Sequence, residues 1–216
     1  MQRSICFFDV DHTITRHSTG VLFAREALKR GIVDLRSCTV IPWYFLLYKF
    51  GSFDTGFFKQ EFKTLKGIPR SVYEEIAGGS FERSMKEDCY PEAIALIRNL
   101  KAEGNEIVLA TFSLDFIVRP LARFLEADGV VASSFEFRDG VSTGRFEREP
   151  VFGLEKLRRV REYVDAADVP LSSCSFYSDS FHDLPLLESV GNPIATNPDR
   201  RLLREAKKRG WKIIVF

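Results

Sequence analysis

Residues 4–15 read SICFFDVDHTIT, and this stretch decides how the rest of the chain is interpreted. Its apolar run ICFF has the length and bulk of a strand buried on both faces, and two carboxylates one residue apart, Asp9 and Asp11, follow it directly. In an open α/β sheet, ligands bind just beyond the carboxyl ends of the strands. The stretch therefore indicates a functional site, although aspartates are also common in ordinary turns, and these residues alone leave both interpretations open.

Apolar runs of strand length recur in the second half of the chain and alternate with helical patterns through short connections. That alternation is typical of an α/β fold with a parallel, doubly wound sheet. In addition, Asp139-Gly140 between two apolar stretches predicts a β-hairpin, which we expect to form a surface flap. The predicted strands after the first one are residues 106–110, 130–131, 173–177, 194–195 and 212–216.

The predicted helices carry apolar residues three and four positions apart. One helix begins at Pro91, which suits a first helical turn, and is closed by Gly104. Further helices are predicted at residues 115–127, 154–164 and 201–209. The second of these has a basic outer face that is expected to be solvated, and its core-facing positions are Leu154, Leu157, Val160 and Val164.

The segment between the first two strands is predicted to be helical, because residues 17–87 show no convincing strand. One helical stripe around Leu22 ends at Gly31. We therefore predict a small all-helical cap, residues 17–87, inserted after the first strand into a catalytic core made of residues 1–16 and 88–216. A second stripe in the cap contains Phe57, Phe58, Phe62 and Leu65.

Charge and hydropathy exclude several classes of protein. Lys and Arg total 31 against 30 acidic residues, and a net charge of +1 argues against a nucleic-acid binder. The longest uncharged run, residues 37–48, is about half of the ~20 apolar residues that a spanning helix needs, which argues against stable membrane insertion. We expect it to be a buried or pocket-facing helix. The absence of a signal-peptide pattern and of metal-type spacing among the four cysteines favours a cytoplasmic protein with reduced thiols.

Oxygen-bearing side chains follow the most apolar predicted strands. Several converging carboxylates without His or Cys form a hard-oxygen site, which suits Mg²⁺ better than zinc or copper. Clustered carboxylates also repel one another, so the electrostatics favours a bound divalent cation. These side chains are Asp9 and Asp11 after the first strand, Thr111 and Ser113 after the second, and Asp179 and Asp183 after a later one.

Magnesium in turn suggests a phosphate substrate, whose oxygens require hydrogen-bond donors and a positive charge. Ser113 and Lys156 are the candidates, with Thr111 as an alternative donor. Each candidate also has a structural interpretation. Ser113 could cap the following helix, and Lys156 could be one more solvated lysine on a basic helix face.

Four short motifs resemble, in their order along the chain, the signatures of the haloacid dehalogenase (HAD) superfamily. FFDVDHT resembles its DxDxT motif, SLDFIVRP its second motif, the lysine of FGLEKLRRV its third, and YSDSFHDLPLL its DxxxD motif. The predicted cap after the first motif is similar to the small cap of the phosphoserine-phosphatase-like branch, the subfamily IB hydrolases. The resemblance implies a Rossmann-like core and a Mg²⁺-dependent phosphatase.

The resemblance also implies the catalytic and metal-binding roles. Asp9 would attack phosphorus in line to form an aspartyl-phosphate. Asp11 would offer its backbone carbonyl to the metal, while its carboxyl would protonate the leaving alkoxide and later deprotonate the attacking water. The metal ligands would be Asp9, Asp11 and Asp179.

Phosphate binding and support are likewise implied by the resemblance. Ser113 would donate to a phosphoryl oxygen, and Lys156 would pair with the phosphate and the nucleophile. Thr13 would hold the turn by local hydrogen bonds. Asp183 would bind the metal through water or orient Lys156.

The predicted function is hydrolysis of a small-molecule phosphomonoester through an aspartyl-phosphate. Phosphoserine phosphatases carry a Glu shortly after the first motif, where this chain reads Arg16-His17-Ser18-Thr19, so no single substrate is predicted. A phosphotransferase that passes the phosphoryl group to an acceptor alcohol would use the same residues. Two alternatives belong to other classes: a receiver-like phosphoaspartate signalling protein, which needs no helical insertion, and a catalytically silent phosphate binder. The oligomeric state is not predicted.

Overall fold

The structure is a computed structural model that describes residues 4–31 and 65–216. The strands are β1 (Ile5–Phe8), β2 (Glu106–Leu114), β3 (Gly129–Ser133), β4 (Phe135–Arg138), β5 (Val141–Phe146), β6 (Ser175–Ser178), β7 (Asn192–Thr196) and β8 (Lys212–Ile214). The α-helices are α1 (Thr19–Lys29), α2 (Arg70–Ser80), α3 (Lys86–Asp88), α4 (Pro91–Ala102), α5 (Asp115–Phe124), α6 (Leu154–Ala166), α7 (Leu184–Leu187) and α8 (Arg200–Arg209). A π-helical turn, Phe81–Met85, joins α2 to α3, and 3-10 turns lie at Leu171–Ser173 and Phe181–Asp183.

Six strands form one parallel sheet in the order β3-β2-β1-β6-β7-β8. Strand β1 pairs with both β2 and β6, so the run ICFF lies in the middle of the sheet, and all four of its residues are buried. A continuous apolar run without polar alternation is what such a position requires. The chain extends the sheet to one side of β1 first and to the other side later, which places the topological switch point next to β1.

Helices cover both faces of the sheet. Cys6 and Phe8 point into a hydrophobic cluster that includes residues of α1, α2, α4 and α5. Ile5 and Phe7 point into a second cluster with residues of α6, α7 and α8. These two layers around a central parallel sheet confirm the predicted doubly wound α/β fold.

The predicted hairpin is confirmed as β4 and β5, but it is docked against α2 instead of forming a free flap. Phe135 is buried, and its ring lies 6.2 Å from that of Tyr73 on α2. The Ser142 N–H donates to Ile68 O at 3.0 Å, and the Ser142 carbonyl accepts from Gly67 N at 2.9 Å. The apolar residues that predicted strands therefore also give the hairpin a buried face.

Several predicted bounds differ in detail from the structure: β2 extends to Leu114, for example, and β8 ends at Ile214. Helix α5 ends at Phe124, three residues earlier than the predicted 127. In α6, the predicted core positions are buried except for Leu154, which is 74% exposed. Leu154 is the first residue of α6, and its packing onto the sheet begins with Leu157, one turn later.

The described parts of the predicted cap are helical, in α1 and α2. The uncharged run 37–48 and the stripe that contains Phe57, Phe58 and Phe62 lie outside the described residues. The proposed cap bounds of 17–87 stay a prediction.

Over residues 4–31 and 65–216, no helix is both long enough and apolar enough to cross a bilayer. Within the same residues, Cys6, Cys89 and Cys174 are buried free thiols. Burial raises the pKa of the Cys6 thiol to about 11 and that of Cys89 to about 12, so both are poor nucleophiles. Cys38 lies outside the described residues.

Candidate active site

A cavity of about 410 Å³ opens at the carboxyl ends of the neighbouring strands β2, β1, β6 and β7. Of the seven residues to which the resemblance assigns roles, five line it: Asp9, Asp11, Lys156, Asp179 and Asp183. The parallel sheet brings them together because each of its strands ends at the same edge. The other lining residues are His12, Tyr90, Thr111, Phe112, Ser180, Phe181, His182, Asn197, Asp199 and Arg201.

Lys156 joins two of the carboxylates at the bottom of this cavity. Its Nζ lies 2.9 Å from Asp9 Oδ1 and 2.7 Å from Asp183 Oδ2. Ser178 Oγ donates to the same Asp183 oxygen at 2.7 Å. Because the Lys156 residue is only 3% exposed, the interpretation as a solvated lysine of the basic helix face is wrong. Asp183 is also buried and orients the ammonium group toward Asp9.

Burial perturbs the acidic groups of the cavity. It raises the pKa of Asp9 to about 7; Lys156 opposes this rise, whereas Asp183 and Asp11 add to it. Burial likewise raises the pKa of Asp179 well above its usual value, and the charges of Asp9 and Asp183 add to the effect. Burial alone would lower the pKa of Lys156, but Asp183 and Asp9 outweigh it, so the net shift is upward. The Lys156 ammonium therefore stays protonated. The carboxylates of Asp9 and Asp179, in contrast, have too little positive charge nearby to offset their burial.

Asp11 is held by the first residues of the helical insertion. Its Oδ2 accepts a hydrogen bond from Ser18 Oγ at 2.9 Å. Its Oδ1 accepts from Thr19 N at 2.9 Å and from Thr19 Oγ1 at 2.7 Å. In this way the Asp11 carboxylate binds the amino end of α1, where N–H groups lack partners within the helix. Asp11, a predicted catalytic residue, therefore links the segment after β1 to the first residues of the predicted cap.

The structure separates the two hydroxyl candidates that follow β2. Thr111 lines the cavity, and its Oγ1 accepts a hydrogen bond from Ser113 N at 3.1 Å, which leaves its own hydrogen free to donate. Ser113 is not among the lining residues, and its Oγ lies 2.8 Å from Thr19 Oγ1. The pairing of β2 with β3 shifts register between Thr111 and Leu114, so the simple alternation of strand side chains does not hold here. The geometry favours the alternative donor, Thr111, over Ser113.

Thr13 does not form the predicted side-chain hydrogen bonds. Its backbone N donates to Val10 O at 3.3 Å, but its buried Oγ1 has no hydrogen-bond partner among the described residues. The hydroxyl that holds this turn belongs to Thr15, whose Oγ1 donates to His17 O at 2.8 Å and to Val10 O at 3.3 Å. His12, which has a positive φ of 62°, is an exposed turn residue at the cavity.

One positioning residue, Asp199, was missed by the sequence analysis. Its backbone N donates to Asp179 O at 2.8 Å, and its Oδ2 accepts from Phe181 N at 2.9 Å. Its Oδ1 caps α8 by accepting from Arg201 N and Leu202 N, both at 2.8 Å. Asp199 therefore ties the loop of Asp179 to the start of α8. The signal was present, since polar residues follow β7 as they follow β1, β2 and β6.

The donor set fits Mg²⁺. Asp9, Asp179 and Asp183 face a single ammonium, so this buried group carries excess negative charge when ionised, and a divalent cation would neutralise it. Within the described ranges, no three His, Cys, Asp or Glu side chains form a ready-made metal-binding group. This agrees with the tethering of the Asp11 carboxylate to Ser18 and Thr19. Two carboxylates, Asp9 and Asp179, and the backbone carbonyl of Asp11 would be left to hold the ion, and Mg²⁺ commonly keeps waters at its other positions.

Comparison with known proteins agrees with these observations. Residues 6–188 match the family described as haloacid dehalogenase-like hydrolase. A Streptomyces azureus protein named inhibition of morphological differentiation protein is 32% identical over 221 residues, which cover 100% of this chain and 79% of that protein. The Mycobacterium tuberculosis phosphoserine phosphatase SerB1 is 33% identical over 224 residues, which cover 97% of this chain and 70% of that protein.

A solved structure is also similar over nearly the whole chain. It is a Bordetella pertussis protein of unknown function, with a TM-score of 0.86 and 26% sequence identity. The similarity covers 99% of both chains. The arrangement of sheet and flanking helices is therefore shared with a protein of the same size.

Proposed function

Because this chain belongs to the haloacid dehalogenase-like hydrolase family, we propose that its cavity hydrolyses a small-molecule phosphomonoester with Mg²⁺, through an aspartyl-phosphate on Asp9. The observation that carries the proposal is the position of Lys156, whose ammonium lies between Asp9 and Asp183 at the bottom of the cavity. A charge placed there serves a phosphate that approaches Asp9, since apolar residues in place of the whole buried ion-pair group could supply the same stability. Bound Mg²⁺ would supply further positive charge to the carboxylates and to the phosphate oxygens.

The residues of the cavity divide the reaction between them. An Asp9 carboxylate oxygen forms a bond to phosphorus as the ester P–O bond breaks, and the leaving alkoxide takes a proton from the Asp11 carboxyl. Asp11 then removes a proton from water as the water oxygen attacks phosphorus, which releases phosphate and restores Asp9. Lys156 pairs with the phosphoryl oxygens and keeps Asp9 oriented. Thr111, rather than Ser113, donates a hydrogen bond to a phosphoryl oxygen.

Transfer to an acceptor alcohol remains a second outcome of the same chemistry, since water and an alcohol attack the same intermediate. Product analysis with and without added alcohols separates the two, because hydrolysis yields free phosphate in both cases.

We further propose that the protein acts in the cytoplasm, as its reduced thiols suggest.

The nucleophile assignment is tested by Asp9→Asn, assayed with Mg²⁺ and an aryl phosphate. Loss of the attacking oxygen is expected to lower kcat by at least about 10⁴-fold, as for other covalent nucleophiles. Asp165→Asn is the matched control, because Asp165 is an exposed residue of α6 outside the cavity. Trapping of radiolabelled phosphate on the wild type but not on Asp9→Asn would support the intermediate. Full activity of Asp9→Asn would reject it.

The phosphate donor is tested by comparing Thr111→Val with Ser113→Ala. Removal of a hydroxyl that binds a phosphoryl oxygen is expected to lower kcat/KM by roughly 10²-fold, in the range of a lost oxyanion donor. Ser113→Ala is expected to cost several-fold less, because its hydroxyl supports Thr19 and not the cavity wall. A larger loss in Ser113→Ala than in Thr111→Val would reverse the assignment.

A further inference from the structure

The mouth of the cavity carries a cation that the proposed reaction does not use. Arg201 is, with Lys156, one of the two Lys or Arg side chains among the described lining residues. The two differ in depth, since Lys156 is buried and Arg201 is exposed. Lys156 therefore serves the phosphate at Asp9, while Arg201 lies where the rest of a substrate would extend.

Four of the five carboxylates that line the cavity together with Arg201 have other partners. Asp9 and Asp183 pair with Lys156. Asp11 binds Ser18 and Thr19, and Asp199 uses its oxygens on backbone N–H groups. Within residues 4–31 and 65–216, no carboxylate lies within ion-pair distance of the Arg201 guanidinium. Its charge is therefore available to a ligand.

The Arg201 side chain is also oriented. Its guanidinium carbon lies 4.1 Å from the ring centroid of Phe181, which is the distance of a stacked cation–π pair. The carboxylate of Asp199 binds Phe181 N and Arg201 N together, so the ring and the arginine backbone are held by one group. Stacking leaves the N–H groups at the edge of the guanidinium plane free to donate. The planar guanidinium can therefore form two parallel hydrogen bonds to the oxygens of a carboxylate or a phosphate.

We propose that Arg201 binds a second anionic group, a carboxylate or a phosphate, on the leaving group of the phosphomonoester. This inference rests on the proposed phosphatase function and names the class of substrate that the site prefers. It does not require contacts from residues outside the described ranges. The shared chemistry is an anion presented at the cavity mouth, and the two anion types are separated by the experiment.

The test uses four phosphate esters with two-carbon leaving groups that differ in the terminal group and its charge. They are ethyl phosphate, phosphoethanolamine, phosphoglycolate and the bisphosphate of ethane-1,2-diol. With the full-length protein and Mg²⁺, kcat/KM is expected to be higher for one or both of the anionic esters than for ethyl phosphate. Phosphoethanolamine, whose terminal group is a cation, is expected to be the poorest of the four.

The decisive variant is Arg201→Gln. Loss of a charge-assisted pair at a partly exposed site is expected to lower the ratio of anionic to neutral kcat/KM roughly tenfold. Arg204→Gln is the matched control, because Arg204 is exposed on the same helix and does not line the cavity. An unchanged ratio in Arg201→Gln, or an equal fall in both variants, would overturn the proposal, since the second result reports only the general field of α8.

Binding is measured separately from turnover, so that failure of the two proposals can be told apart. In an Asp9→Asn background, phosphoglycolate is expected to bind more tightly than ethyl phosphate by calorimetry, and Arg201→Gln is expected to remove that difference. If Asp9→Asn still turns over, the nucleophile assignment fails while the binding comparison is still informative. If phosphoglycolate, the bisphosphate and ethyl phosphate bind equally, the inference about Arg201 fails alone.

Discussion

Two buried ionic clusters in this protein have opposite charge balances. In the acidic cluster at the cavity, the ammonium of Lys156 pairs with Asp9 and Asp183, and the charges of these two carboxylates help to raise the pKa of Asp179. In the basic cluster, between α1 and the π-helical turn, the carboxylate of Glu26 faces two guanidinium groups. Arg30 Nε donates to Glu26 Oε1 at 2.8 Å, and Arg83 Nε donates to Glu26 Oε2 at 2.9 Å.

The two clusters shift carboxyl pKa values in opposite directions. Burial raises the pKa of Asp9 to about 7, whereas hydrogen bonds from Arg83 and Arg30 lower the pKa of Glu26 to about 2. Glu26 is only 5% exposed, although Arg83, one of its two cations, is itself an exposed residue. Burial of charge alone therefore does not identify a functional site. What distinguishes the cavity is that its carboxylates lack sufficient positive charge and can take more from a ligand.

The basic cluster also shows that a local irregularity does not by itself mark function. Arg83 belongs to the π-helical turn, and such turns are often found at functional sites. No residue of this turn lines the cavity. Gly79, near the end of α2, lacks a Cβ at the point where the guanidinium groups of Arg30 and Arg83 pack. The turn that follows α2 therefore serves the packing of Arg83 against Arg30 and Glu26.

The largest expected difference between the clusters concerns the loss of one cation from each. Lys156→Met leaves Asp9 and Asp183 buried without a cationic partner, and kcat is expected to fall roughly 10³-fold, as for a lost electrostatic contact to the transition state. Without metal, the free energy of unfolding is expected to fall by about 3–5 kcal/mol. Arg83→Met is the counterpart, with near wild-type kcat and a smaller loss of stability because Arg30 remains with Glu26. Chemical denaturation and steady-state rates measure both, and comparable kcat losses would erase the distinction.

A carboxylate-to-amide change should alter stability with opposite signs in the two clusters. Asp179→Asn removes a repulsive charge, so the metal-free protein is expected to become about 1 kcal/mol more stable at pH 8. It should also lose most of the thermal stabilisation that Mg²⁺ gives the wild type. Glu26→Gln removes an attractive charge and is expected to cost about 1–2 kcal/mol. Melting curves with and without Mg²⁺ decide this, and destabilisation by both variants would contradict an excess of negative charge at the cavity.

A third expected difference between the clusters is the dependence of stability on pH. The pKa of Asp9 is raised from its ordinary 3.8 to about 7 in the folded protein, so its favourable contribution is complete below 3.8 and is lost as the pH rises to 7. The pKa of Glu26 is lowered from 4.5 to about 2, so its contribution is complete above 4.5 and is lost as the pH falls to 2.

Denaturant titrations of the metal-free protein between pH 2 and 8 separate two pH windows: an upper window from 3.8 to 7, set by Asp9, and a lower window from 2 to 4.5, set by Glu26. Asp9→Asn is expected to flatten the upper window, and Glu26→Gln is expected to flatten the lower one. Mg²⁺ is expected to reduce the loss in the upper window only. A metal-free stability that rises steadily from pH 4 to 7 would contradict the raised pKa of Asp9.

Much of the fold was predictable from local pattern. The unbroken apolar run of β1 predicted a central strand, and its burial on both faces confirms this. Asp139-Gly140 predicted the hairpin turn between β4 and β5. Both predictions rest on the periodicity and turn chemistry of adjacent residues, which depend little on the rest of the chain.

The sequence predicted most residues of the candidate site, but it did not predict the role of every one of them. Asp9, Asp11, Lys156, Asp179 and Asp183 all line the cavity, since each follows a strand or begins a helix at one sheet edge. Side-chain directions were harder to predict. The register shift after Thr111, the unpartnered hydroxyl of Thr13 and the stacking of Arg201 on Phe181 depend on contacts between segments that are distant in sequence.

The sequence by itself determined the parallel sheet and the residue types that gather at its carboxyl edge, because apolar runs of strand length that alternate with helical patterns report local backbone geometry. Only the tertiary structure decided which hydroxyl faces the cavity and which buried cluster is short of positive charge. Those properties arise when Asp9, Lys156 and Asp183, far apart along the chain, are packed within hydrogen-bond distance. The net charge of a buried site depends on all the charged groups that surround it, so it cannot be predicted from any single segment of the sequence.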